Sequence, residues 1–189
     1  DMNNGMFDLR QGHTTRVDES QPVPSTLVSE AARTLIAFSG VTILPDIPEY
    51  YRKYPALLNF LSAQKMPWKE SRTLAGEIGE YIVMMRETED AYLVGAATNE
   101  SGRTIDLPLS FLEKGKYTVE VIEDGDDAHY LTNRESLKVT TWQLTNNDKL
   151  ALKLAPGGGA CLVIKKTPSM RVGEQAAFPL VSPSWKIGR

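Results

Sequence analysis

Near residue 66 the spacing of apolar residues switches from a helical period to that of strands, and this switch limits what the chain can fold into. Beyond Trp68 the segments 80–86 (EYIVMMR), 91–98 (AYLVGAAT), 103–109, 116–123, 136–144, 149–154 and 160–165 (ACLVIK) read as strands. Turn-forming clusters separate them, among them 124–127 (DGDD) and the hairpin loop 145–148 (TNND). Six to eight short strands at such close spacing predict an antiparallel β-sandwich. Before residue 66 the pattern is helical. Leu27, Ala31, Leu35 and Phe38 recur on one face of a helix over 25–38, with Ser25 or Thr26 as N-cap and Gly40 as the left-handed residue that ends it. The run 41–44 (VTIL), closed by Pro45, reads as a strand buried on both faces, and helices are expected over 49–54 and 56–63, with Pro55 at the first helical position.

The expected fold class is therefore mainly β: an antiparallel sandwich over 66–166, preceded by an α/β unit over 1–65 and followed by an irregular tail over 167–189. The α/β unit is too small to stand alone, and by itself its helix and strand would expose apolar surface. The first residues are polar and show no signal peptide; because the chain begins on Asp1 and its α/β unit has no sheet to join, it is expected to be a fragment.

Composition narrows the function. The 189 residues carry a net charge of −3, which offers neither a basic footprint for nucleic acid nor a polybasic membrane patch. No run reaches the roughly 18–20 apolar residues of a spanning helix. A single cysteine, Cys161, excludes an intrachain disulfide; inside ACLVI it reads as an inert core residue. The two histidines, His13 and His129, are far apart and leave little for a zinc site. The glycine run 156–159 leads into a strand with no GK[ST] after it, so it reads as a tight turn or bulge and not a phosphate loop; Gly76 to Gly79 fails the same test. The acidic run 124–127 lacks the spacing of a calcium loop and reads as a solvated turn. Tyr50, Tyr51 and Tyr54 could stack on a sugar, but their helical spacing favours packing. No active site can be assembled from these residues.

Several segments, taken in order, resemble glycoside hydrolase family 97. The run 44–87 is similar to the end of that family's catalytic barrel and the start of its C-terminal domain, through Asp46, Pro48, Glu49 and Tyr51, then Trp68, Ser71, Leu74, Gly76, Gly79, Glu80 and Tyr81. Residues 91–127 resemble its "T-(D/N)-x-x-x-R-T" strands with their acidic turn, and 154–164 (LAPGGGACLVI) its closing strand. The opening DMNNGMF resembles a "D-Y-T-P-G-x-F" barrel loop, with Met2 for Tyr and Asn4 for Pro.

This resemblance, over roughly residues 1–166, implies a three-part enzyme cleaving α-linked glucosides or galactosides, periplasmic or secreted. Residues 1–65 would be the C-terminal end of a TIM-type β/α barrel. The catalytic carboxylates and the glutamates holding calcium would lie upstream of Asp1, so this chain would be inactive alone, with no catalytic residue, metal ligand or cofactor of its own. Asp1, Met2 and Asn3 would line the rim of the sugar site. Its partners would be the missing barrel and N-terminal domains, not nucleic acid or membrane. A carbohydrate-binding or structural sandwich is the alternative, and Tyr92, Tyr117, Tyr130 and Trp142 are its aromatic candidates.

Overall fold

The two uninterrupted apolar runs, AYLVGAAT and ACLVI, lie side by side in the middle of a six-stranded antiparallel sheet. The computed structural model describes residues 4–9, 23–37, 39 and 42–168. In chain order these form α1 (Leu27–Ile36), α2 (Pro48–Arg52), α3 (Pro55–Ala63), β1 (Glu70–Glu77), β2 (Tyr81–Glu87), β3 (Tyr92–Thr98), β4 (Arg103–Pro108), β5 (Lys116–Asp124), β6 (Leu137–Thr145), β7 (Lys149–Leu154) and β8 (Gly159–Lys166). The large sheet has the order β1-β2-β3-β8-β5-β6, and β4 pairs with β7 in a two-stranded sheet.

Mainly antiparallel β-structure is thus observed, in unequal sheets. The inner face of the large sheet, with Val83, Met85, Val94, Val119, Val121 and Leu162, packs on Ile105, Leu107, Leu150 and Leu152 of the small one. These strands alternate apolar and polar because one face is solvated; β7 runs exposed, buried, exposed, buried along its length. The outer face carries a second core, in which Leu93, Ile122 and Cys161 meet α1, α3 and Phe7. Strands β3 and β8 lie under both layers, which is why their sequences do not alternate.

Helix α1 rests directly on the sheet backbone. A Cβ at Gly95 would come within 2.9 Å of the Ala32 carbonyl oxygen, so only glycine permits this approach. The apolar side of α1 is buried, contrary to the expectation that it would be exposed. Both helix ends are met by buried charge from the sheet. At the N-terminus Thr26 is the cap, its Oγ1 accepting from the Ser29 amide at 3.2 Å. Thr26 N donates to the Gly157 carbonyl and Leu27 N to that of Arg134, which satisfies further first-turn amides. Beneath this end, Asp124 Oδ2 accepts from Ala155 N at 2.9 Å and Gly159 N at 2.7 Å. A Cβ at Gly158 would sit 1.8 Å from that oxygen. At the C-terminus Arg86 donates to the Leu35 and Ile36 carbonyls at 3.3 and 3.1 Å, its guanidinium 4.5 Å from the Trp68 ring centroid.

Three local expectations change. Residues 42–44 form no strand, and Ile43 is 65% exposed. A strand buried on both faces needs paired neighbours, and none of the described residues pairs with it. Val41, Phe38 and Gly40 lie outside the described residues. Asp124 is not part of a solvated turn: it closes β5 and is buried, and the turn begins after it. Strand β1 (ESRTLAGE), on a sheet edge with few apolar residues, has no buried face to announce it.

Burial pushes the Asp124 carboxyl up to about 6, against the Thr26 hydroxyl and the two amides, which hold it down. The Thr26 hydroxyl stands beside the carboxylate, but Oδ1 has no hydrogen bond of good geometry. In the unfolded chain this group titrates near its ordinary ~3.9. From about pH 4 to 6 the native state therefore keeps a proton that the unfolded chain has lost, so stability falls as pH rises through that window and levels off above it. Relative to Asp124→Asn, the native protein is expected to be less stable at pH 7 than at pH 4 by something of the order of 3 kcal/mol. Urea titrations at both values measure this, and a difference independent of pH would contradict it. Gly95→Ala is expected to cost about 1–3 kcal/mol by pushing α1 off the sheet, read as a lower midpoint in the same titration.

Candidate functional site

The expected rim residues Asp1, Met2 and Asn3, and with them His13, lie outside the described residues. What the structure shows is how the chain that follows them is held. Gly5 has φ +91° and sits against Thr34, whose Cγ2 would be 2.8 Å from any Cβ there. Its amide donates to Glu30 Oε2 on α1 at 3.2 Å, and its carbonyl accepts from the Tyr51 hydroxyl at 3.0 Å. The Phe7 and Asp8 amides both donate to Asp46 Oδ2, at 3.0 and 2.7 Å. The Asp46 amide donates in turn to the Tyr51 hydroxyl at 3.1 Å. The Phe7 ring lies 4.9 Å from that of Tyr51 and 6.0 Å from that of Tyr54. Arg134 donates to the Leu9 carbonyl at 2.9 Å.

Five backbone groups of residues 5–9 are thus held by side chains of α1, α2, the loop before α2 and, through Arg134, the loop before β6. Proline at the first position of α2 and of α3 sets these short helices, which carry Tyr51 and bury Leu57 and Phe60. Glu30 and Asp46 are committed to backbone amides, so they position this segment and do not act as an acid–base pair. Burial pushes the Tyr51 hydroxyl up to about 12, so it stays protonated and works as a donor and acceptor in the pin. Tyr54, also raised by burial, donates to Glu135 at 2.7 Å. Packing, not sugar stacking, occupies these rings. Asp46 and Tyr51 were visible as motif residues; Glu30, in the middle of an amphipathic helix, carried no signal.

Around this seam the surface is apolar and open: Ile43, Leu44, Ile47 and Met66 are 65%, 38%, 53% and 46% exposed. A recess of about 240 Å³ lies beside them, between Thr34, Leu44, Leu61, Gln64 and Trp68. A larger groove of about 520 Å³ on the outer sheet face is lined by polar side chains such as Asn59, Ser62, Thr118, Glu120 and Lys165, and no aromatic ring. Of the four sugar-binding candidates, Tyr117 is buried, Tyr92 packs edge-on against Phe111 and Tyr117, and Tyr130 stacks on His129 at 4.9 Å. Trp142 is the half-exposed ring of this set, at 51%. One open ring is not a stacking platform.

The glycine run forms the turn between β7 and β8, with Gly157 at φ +66°. Cys161 is fully buried, burial pushing its thiol up, and it points at the Val28 carbonyl. Among the described residues no three His, Cys, Asp or Glu side chains are grouped as a metal centre. Nor is any helix among them long and apolar enough to cross a membrane.

Residues 67–165 match the family model described as "Glycosyl-hydrolase 97 C-terminal, oligomerisation". A retaining alpha-galactosidase of Bacteroides thetaiotaomicron is 33% identical over 169 residues, which are 85% of this chain and 25% of the relative. A probable retaining alpha-galactosidase of Streptomyces bingchenggensis is 28% identical over 65% of this chain and 19% of its own length. A glycoside hydrolase family 97 enzyme from Pseudoalteromonas sp. strain K8, solved with acarbose, superposes with a TM-score of 0.81 at 29% identity, over 89% of this chain and 26% of that one. The chain thus spans about a quarter of the length of the first of these relatives.

Asp46→Ala would leave the Phe7 and Asp8 amides without their acceptor, at a cost of about 1–3 kcal/mol for each amide that stays buried. Hydrogen exchange is expected to accelerate over residues 5–9 while β3 and β8 keep their protection; equal acceleration everywhere would show that the pin is not local.

Proposed function

Because this chain belongs to the glycoside hydrolase family 97 C-terminal family, we propose that it is the closing part of an α-glycosidase and is not catalytic alone. The observation that carries this is the pinned segment 5–9 beside an uncovered apolar seam. Glu30, Asp46 and Tyr51 hold the segment rigidly, so residues 1–3 can be presented at the rim of a sugar site built elsewhere. Residues 1–65 are the end of a β/α barrel in this reading, and 42–44 its last strand, unpaired for want of neighbours. Ile43, Leu44, Ile47 and Met66 form the surface on which the rest of the barrel packs. The sandwich buttresses that barrel from outside through α1.

The substrate class follows the relatives' names. The two curated relatives are called retaining alpha-galactosidases, and the solved enzyme holds acarbose. An α-linked galactoside or glucoside is the proposed substrate of the whole protein, with its carboxylates and calcium supplied by upstream residues. The family description also names oligomerisation, and we take self-association to be a second role of the sandwich.

The purified chain is expected to show no turnover of nitrophenyl α-galactoside or α-glucoside, with or without calcium. Turnover well above the uncatalysed rate would sink the assignment of the chemistry to upstream residues.

A further inference from the structure

Among the described residues the large sheet has two free edges, β1 and β6, and they are built differently. Strand β1 carries Glu70, Arg72 and Glu77, with an ion pair between the first two. Its pairing with β2 shifts register between Thr73 and Ala75. Charge and a register break are the usual means of blunting an edge against further pairing. Strand β6 (LKVTTWQLT) has no register break and less charge. It pairs with β5 without a break from Thr145↔Lys116 to Leu137↔Asp124. Lys138 is its single charge, it contains no proline or glycine, and it is rich in β-branched residues and tryptophan.

Apolar side chains stand open on both its faces. Val139 pairs with Ile122 on the outer face and is 44% exposed; Trp142 pairs with Val119 on the inner face and is 51% exposed. Trp142 is uncovered because β7 packs over β5 and β8, and β6 lies beyond it. An inner-face tryptophan on an edge with a single charge, open among the described residues, is an unfinished part of the sandwich.

We infer that β6 is the edge through which two copies of this chain associate, pairing antiparallel about a two-fold axis at Thr141 and joining their large sheets into one. This rests on the self-association named above and adds which surface performs it. Symmetry narrows the register. A two-fold axis normal to the sheet keeps each face on its own side, so residues of equal parity must oppose one another. Placing the axis at Thr141, the midpoint of the strand, uses its whole length. Trp142 then faces the partner's Thr140 and Val139 its Gln143, which covers both open side chains. Lys138 lies opposite Leu144, roughly 20 Å from its own copy, so the strand's charge does not repel itself.

Four variants of the full chain test this, by light scattering coupled to gel filtration and by oxidative cross-linking. Trp142→Lys, at a half-exposed position, is expected to keep the fold and weaken the dimer at least tenfold. Thr141→Cys is expected to cross-link between copies on mild oxidation, because opposed residues in an antiparallel pair lie about 4.5–5.5 Å apart, within disulfide reach. Val139→Cys, roughly 14 Å from its copy in the same register, is expected not to. A wild-type dimer that survives Trp142→Lys and fails to cross-link at Thr141, or that dissociates on Ile43→Ser with Ile47→Ser instead, overturns the assignment of β6 and leaves self-association standing. A wild-type chain that stays monomeric at high micromolar concentration overturns both.

Discussion

Two buried polar side chains on one sheet face, through their hydrogen bonds to backbone, join the layers of the molecule. Asp124, at the end of β5, sits under the N-terminus of α1 and draws in the amides of the β7–β8 turn. Arg86, on β2, reaches the last carbonyls of the same helix. The helix dipole is positive at the first end and negative at the second, so both charges have the favourable sign. Each also supplies hydrogen bonds to backbone groups that burial would otherwise leave unpaired. Glycines at 95 and 159 let the helix lie on the strands themselves, close enough for both contacts to form.

Everything on the helical side follows from where α1 is placed. Its Glu30 reaches Gly5, and its buried face makes a floor with Phe60 and Leu57 on which Phe7 and Tyr51 pack. The sandwich therefore determines, through one helix, the position of a segment that is distant from it in sequence. A carboxylate and a phenol directed at backbone groups give a geometry that loops seldom keep unaided. A core of strands thus fixes the place of residues that border it.

The strands were legible because burial on one face imposes alternation, and seven of them stand within a residue or two of the positions their sequence suggests. Strand β1 was not, since this edge strand buries no residue fully and only Leu74 and Ala75 pack partly against the core. The seam at 5–9 was half legible. Asp46 and Tyr51 belong to a recognisable segment, whereas Glu30 is an acidic residue on a helix until folding places Gly5 above it. Likewise Asp124 looked like one more carboxylate in an acidic turn. Its burial depends on α1 and on the β7–β8 turn, which come from opposite ends of the chain.

The sequence by itself determined the mainly β class, the helical start, the reading of the glycine run as a turn and the family. All of these are written in local period, local turn chemistry or motif order. Only the tertiary structure decided that the two sheets are unequal, that a helix closes the outer face, and that residues 42–44 pair with no strand among the described residues. Those outcomes turn on which surfaces meet. Such meetings join residues tens of positions apart, through contacts that no local period encodes.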